Sequence, residues 1–420
     1  MVNTFANVYP TTRCRALNAH LVRLQGMTSL PLPYRTATHS LRYARARLYL
    51  GISGVGTAVV VATAMLIFDI PSRILSTSAQ QPLVVAVTSV WLALLVSTVA
   101  FMFFDVIGGA MLVRHRVSVS AWYAGWIRGV AVQALVWLVT IAALLGAARL
   151  LGPIGAFGVF AALQLVLAAT RGFMARIIAP MPDGIMPDVL RSAAQRAGID
   201  LNQIDVVDTP DEGFVGGWTG IRARMLLVPL RWAQLPEPAL IAALTRRRII
   251  ADTGAHLRGV LGAIVFNCVG FAAALLLPNA ALSTAAGVLT VACAMTLWAF
   301  IGVLVLPTLS RATVFAIDRV AARRVGAESM RDAVTLLDRW QDDEPWRPRV
   351  IEIIFHPVPA RFTRLEKLNA PISNAPVNIL HAHHLARHAL WLSWGSLTPI
   401  SRAVHCNVGR PALWAMLPGD

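Results

Sequence analysis

The chain has 420 residues, 56% of them hydrophobic and only 14% charged, with 37 basic against 21 acidic side chains and a formal charge of +16. A soluble globular domain carries about 25% charged residues, so this composition excludes an ordinary soluble enzyme and points to a surface that faces lipid. The basic residues are Arg apart from Lys367. They stand at the ends of apolar runs, as the positive-inside rule requires, and not along a nucleic-acid-binding stripe, so no nucleic-acid partner is expected.

The first acidic residue is Asp69, which makes residues 1–47 a basic, acid-free arm; Arg42, Arg45 and Arg47 run directly into an apolar stretch. Spanning a hydrocarbon core of about 30 Å takes about 20 apolar residues in a helix. Six stretches meet that length: 48–68, 82–104, 129–148, 150–170, 259–277 and 282–306. Only Arg149 and the Gly152-Pro153 pair divide the third from the fourth, which predicts a tight helical hairpin. With the arm in the cytosol, Arg114, Arg116, Arg171, Arg176 and Arg311 all fall on the cytosolic side, leaving only Arg73 and Arg149 opposite.

Between 179 and 257 the apolar signal turns from continuous to periodic. Pro187 to Ala197 reads as an amphipathic helix closed by Gly198, and Pro236 to Arg248 as a second helix. Ile204 to Val207 and Met225 to Val228 are strand-like runs flanked by turn residues that include Gly216, Gly217 and Gly220. After the sixth span a helix is expected from about Ser310 to Trp340. The expected divisions are a basic cytosolic arm (1–47), four spans (48–178), a cytosolic segment (179–257), two spans (258–306), a second cytosolic segment (307–370) and a His-rich tail (371–420). The fold class is a mainly α, polytopic membrane protein with a small α+β cytosolic unit, and the lipid bilayer is its first partner.

Four segments resemble, in order and spacing, the membrane-bound zinc metallopeptidase family that includes HtpX and the CAAX prenyl endopeptidases. RSAAQRAGIDLNQIDVVD resembles the family's opening helix and strand, and DEGFVGGWTGIRARMLLVPLRWAQL its small hairpin. LSRATVFAIDRVAARRVG, with Asp318, is similar to the stretch that carries the third zinc ligand, and HPVPARFTRL to the late His-Pro segment. The resemblance implies a zincin-like domain in an inner bacterial membrane, with its peptidase-like part in the cytosol.

Family chemistry rests on H-E-x-x-H, two His at i and i+4 that hold zinc and a Glu that polarises the bound water. Aligned without gaps, those positions are Arg246, Arg247 and Ile250, and the position of the ligand Glu is Val314. None offers a metal a lone pair, because guanidinium stays protonated and the other two are hydrocarbon. The expected function is therefore that of a pseudopeptidase without zinc, a scaffold, adaptor or regulator that binds a membrane or peptide partner through Arg246, Arg247, Arg248, Asp318, His356 and Arg361. The alternative is an active zinc endopeptidase with relocated ligands, for which His256 (with Asp252 at i−4) and His381, His384 and His388 are the candidates, with His383 and His405 nearby. Each has a plainer account. The three Arg lie close to a span, where basic residues anchor to anionic lipid, and HAHHLARH fits an interfacial helix with its His and Arg toward water. The four cysteines, Cys14, Cys268, Cys293 and Cys406, form no C-x-x-C pair and indicate neither a disulfide framework nor a thiolate metal site. Asn267 and Gln133 are the main polar residues inside spans, the kind that make helix contacts.

Overall fold

The computed structural model describes residues 37–108, 118–178, 182–209, 214–341, 346–356, 358–370 and 382–398. Met1–Ser40 and Leu41–Asp420 form separate units, and every candidate site residue belongs to the second. Arg114, Arg116, His381, Cys14, His405 and Cys406 lie outside the described residues.

Among the described residues, five helices are long and apolar enough to cross a membrane: Leu48–Ile67, Leu83–Val106, Trp122–Ile178, Ala255–Ala274 and Ala285–Val325. They belong to elements α1 (Ala37–Ile67), α3 (Leu83–Val106), α4 (Val119–Ile178), α7 (Ala255–Ala274) and α8 (Ala285–Val325), with a one-turn helix α2 (Ile70–Ile74) between the first two. Side chains such as Val84, Val96, Phe103 and Leu150 remain exposed on these helices. Lipid is the solvent in which that exposure carries no cost.

Helix α4 holds the expected hairpin. Gly152 alone leaves helical geometry, at φ 71° and ψ −170°, just before Pro153. Thr140 Oγ1 reaches the carbonyl of Gly395 while Gln164 Nε2 reaches the hydroxyl of Ser396, so residues 140 and 164 meet adjacent points of one segment. In a straight helix they would stand about 36 Å apart. The two halves therefore fold back on each other about Gly152, and α4 supplies two crossings.

A smaller α+β unit follows. Helix α5 (Asp188–Arg196) packs Leu190, Ala193 and Ala194 inward, and strands β1 (Ile204–Val207), β2 (Gly217–Thr219) and β3 (Met225–Pro229) form a sheet of order β1-β3-β2. β1 runs parallel to β3, pairing Ile204 with Leu226, and β2 runs antiparallel to it, pairing Gly217 with Leu227. The β2–β3 hairpin needs its glycines. Gly216 sits at φ 71°, where a Cβ would lie 2.1 Å from the Leu227 carbonyl oxygen. Helix α6 (Glu237–Asp252) closes this unit; Leu240, Leu244 and Ile249 join Val206, Leu226, Val228 and Trp232 in one core.

The expected helix from Ser310 to Trp340 is not a separate element. Instead α8 runs unbroken from the span through Ser310 and Asp318 to Val325, Pro307 included, and Gly326 at φ 91° ends it. Helix α9 (Ala327–Gln341) then begins, followed by α10 (Arg349–Phe355) and α11 (Arg361–Asn369). The last described element, α12 (Leu385–Trp394), packs against α4, α7 and α8 and is buried on all sides.

Candidate functional site

Helix α6 is set by Pro236 before it and Glu237 and Pro238 in its first turn, where a fixed φ and a negative charge are both favourable. It is buried nearly all round, so Arg246 and Arg247 face protein: each is 3% exposed. Anchoring of these two to lipid head groups, expected from their nearness to a span, is therefore overturned. Their neighbours are the cores of the sheet and of α8, not the chain surface.

Arg246 Nε donates to Asp318 Oδ1 at 2.6 Å, and Arg364 Nε and Nη2 donate to the two oxygens of the same carboxylate at 2.8 and 2.9 Å. Asp318 is 1% exposed, on α8 one turn beyond Val314, and Val314 is itself fully buried. Arg247 is fixed from the hairpin side. Its Nη2 donates to the Val215 carbonyl at 3.4 Å, its guanidinium lies 5.9 Å from the Trp232 ring centre, and its backbone carbonyl accepts from Trp218 Nε1 at 2.8 Å. Burial lowers the Arg246 pKa to about 10 against the opposing pull of Asp318. Burial, then the charges of Arg246 and Arg364, lower that of Arg247 to about 9. Both stay cationic at neutral pH.

The remaining predicted residues go elsewhere. Arg248 points out of the cluster, donating to Asp252 at 2.8 Å and to the Gly198 carbonyl at 2.7 Å, which removes Asp252 from any pair with His256. Arg361 lies 3.5 Å from Asp338, and His356 ends α10 with its amide on the Glu352 carbonyl, in a separate network where Glu352 binds Arg311. Arg364, and not Arg361, meets Asp318. It was present in HPVPARFTRL, three residues on, and only the packing of α11 on α8 decides between them.

The four positions that resemble the family's zinc ligands and base carry two guanidinium groups, a buried Ile and a buried Val. That donor set does not fit zinc. Among the described residues no group of three or more His, Cys, Asp or Glu side chains is placed to hold a metal ion.

The His-rich segment is not interfacial. His383, His384 and His388 are buried, and the segment threads between the spans. His256 Nε2 donates to the Gly220 carbonyl at 2.8 Å, since the carbonyl can only accept, and its ring meets that of His388 edge to face at 5.1 Å. Arg171 Nη1 donates to His388 Nδ1 at 2.6 Å, which fixes a neutral His388 with its proton on Nε2. Burial and then the charges of Arg246 and Arg247 hold His383 well below the usual imidazole range. In the sequence Arg171 was read only as a mark of orientation and His383 only as a neighbour of the candidate ligands, and Gln164 was not singled out. Only Gln164, a polar residue mid-span, carried a readable signal.

The crystal structure of S. mikatae Ste24p is similar to this chain at a TM-score of 0.63, covering 85% of this chain and 96% of that one, with 13% sequence identity. At that identity the likeness shows a shared fold. No family model matches the sequence, and no curated protein does.

Proposed function

We propose that this chain keeps the frame of a membrane zinc metallopeptidase without its reaction, and works by binding a membrane or peptide partner as a scaffold, adaptor or regulator. One observation carries the reading: where the resemblance puts the first zinc-binding His stands a buried guanidinium, Arg246, bonded to Asp318 at 2.6 Å. Arg247, Ile250 and Val314 complete a set with no lone pair for a metal and no base for water. The shared fold with Ste24p supports the frame. The arginine cluster, rather than a metal, then fills this site, and the carboxylate it recognises is the protein's own Asp318. The distribution of Arg about the spans supports an orientation with the cluster on the cytosolic side, and the reading takes the membrane to be an inner bacterial one.

The test is elemental analysis of the detergent-purified chain, with an Arg246→Ala sample beside it. The expected result is no stoichiometric zinc in either sample. One zinc per chain would overturn the reading and restore the active endopeptidase, with the histidines as its ligands.

A further inference from the structure

We propose that the space bounded by α4, α7 and α8 is a peptide-binding cleft, and that residues 382–398 are its ligand in cis. This deepens the binding role proposed above by naming the class of partner. The two fail separately, since metal content reports on Arg246 and peptide exchange reports on the tail.

Helix α12 has ten residues, about 15 Å of helix, half of what a bilayer crossing needs. Yet from His383 to Thr398 only Arg387 is less than fully buried. It is a short segment enclosed by protein, not a span.

The polar side chains of the spanning helices converge on its backbone. Gln133 Nε2 and Trp137 Nε1 both donate to the Trp394 carbonyl, at 3.2 and 3.1 Å, and Thr140 Oγ1 donates to that of Gly395 at 3.4 Å. Asn267 Nδ2 lies 3.4 Å from the Ala389 carbonyl and 2.9 Å from Gln164 Oε1, while Gln164 Nε2 donates to Ser396 at 2.5 Å. Polar groups inside a membrane are expensive and mark function. Here five of them serve one segment, and four reach backbone atoms that any peptide carries. Backbone recognition of this kind fixes position without dictating sequence.

The walls are cut to the segment. A Cβ on Gly259 would lie 2.0 Å from the His383 carbonyl oxygen, and one on Gly262 would lie 3.1 Å from Leu385. The His383 amide donates to the Ala255 carbonyl at 3.1 Å.

The occupant fits at a cost. His384, just before α12, and Leu397, just after it, both have left-handed backbone, at φ 52° and 66°, which side-chain-bearing residues adopt only when their surroundings force it. Gln133 Oε1, His388 Nε2 and Trp394 Nε1 are buried, and among the described residues none has a hydrogen-bond partner. Among the described residues, therefore, one acceptor of the cleft and two donors of the segment that fills it go unmet. A ligand that is an apolar helical peptide of about three turns, with a donor facing Gln133 and without the tail's two unmet donors, matches the cleft better than the tail does. The tail is a replaceable plug.

The experiment uses the full-length protein with a specific protease site inserted between residues 371 and 381, nicked after purification in detergent. The probe is a fluorescent synthetic peptide of residues 382–398. The expected result is saturable 1:1 uptake of the peptide by the nicked protein, competition by the unlabelled peptide and no uptake by the intact chain. The nicked Asn267→Ala and Gln133→Ala proteins should each bind at least tenfold more weakly. A nicked protein that retains its own segment without exchange, that aggregates, or that binds the peptide equally well in both variants shows the segment to be ordinary core and overturns the proposal. Equal uptake by the intact chain shows a surface site and overturns it too.

Discussion

Replacing Asp318 with Asn tests whether the arginine cluster is organised by one carboxylate. Three charge-assisted hydrogen bonds, at 2.6, 2.8 and 2.9 Å, converge on it from Arg246 and Arg364. Asp318→Asn strips two buried guanidinium groups of their shared counter-charge, and breaking a buried pair from one side costs about 3–5 kcal/mol. Arg246→Met removes a single bond and leaves Asp318 held by both nitrogens of Arg364, so it costs about 1.5–3 kcal/mol, the range for a hydrogen bond to a charged group. The order of effects is therefore Asp318→Asn above Arg246→Met, and the double variant falls short of their sum because both changes break the same contact. Denaturant unfolding in a fixed detergent, followed by tryptophan fluorescence, gives all four members of the cycle. Arg246→Met as damaging as Asp318→Asn, or strict additivity of the two, would refute the shared-carboxylate argument.

The tail should respond to pH. Burial is the first cause that holds His383 and His384 well below the usual imidazole range, so both are neutral in the fold, while in the unfolded chain they take up protons below about 6.5. The unfolded state then binds more protons, so stability is full above that pH and falls as pH drops below it. Thermal midpoints at pH 7.5 and 5.5 should show the drop, and a His383→Gln/His384→Gln variant should show less of it; a flat wild-type profile counts against the buried assignment. Gly259→Val puts a side chain where the His383 carbonyl lies, and the tail should become open to limited proteolysis while α1 to α4 stay protected. Gly216→Ala meets the Leu227 oxygen and should cost well beyond the roughly 1–2 kcal/mol of left-handed strain alone. Gly198→Ala, at φ 72° with open space around it, should show only that strain, and equal midpoints for the two would remove the hairpin argument.

What could be read from the sequence was what local pattern encodes. Apolar length gave the spans, and Gly152 before Pro153 gave the hairpin, because both signals lie within a few residues of the feature they produce. Strand β1 and the start of β3 were visible as apolar runs between turn residues. The parallel pairing of Ile204 with Leu226 was not, since it joins residues far apart in sequence. The site divided in the same way. The loss of metal ligands at Arg246, Arg247, Ile250 and Val314 is a property of side-chain type and needed no structure. The burial of Arg246 and the choice of Arg364 over Arg361 depend on which faces of α6, α8 and α11 meet. The tail misled most: HLARHALWLSWG is too short to span and too mixed to read as core, and it is buried only because other helices surround it.

Helix α8 has a mechanical consequence. Its 41 residues make a rod about 62 Å long, twice the hydrocarbon thickness, and Asp318 stands about 50 Å along it from Ala285. A change in tilt of about 10° about a pivot 30 Å away would sweep that carboxylate through about 5 Å, and packing against neighbouring helices is what sets such tilts. Bonds of 2.6 to 2.9 Å to Arg246 and Arg364 do not stretch that far. Since Ile317, Ala321 and Ala322 of α8 share one core with Leu240 and Leu244 of α6, the α+β unit rides with the rod as one piece, and the carboxylate travels together with the guanidinium groups it binds.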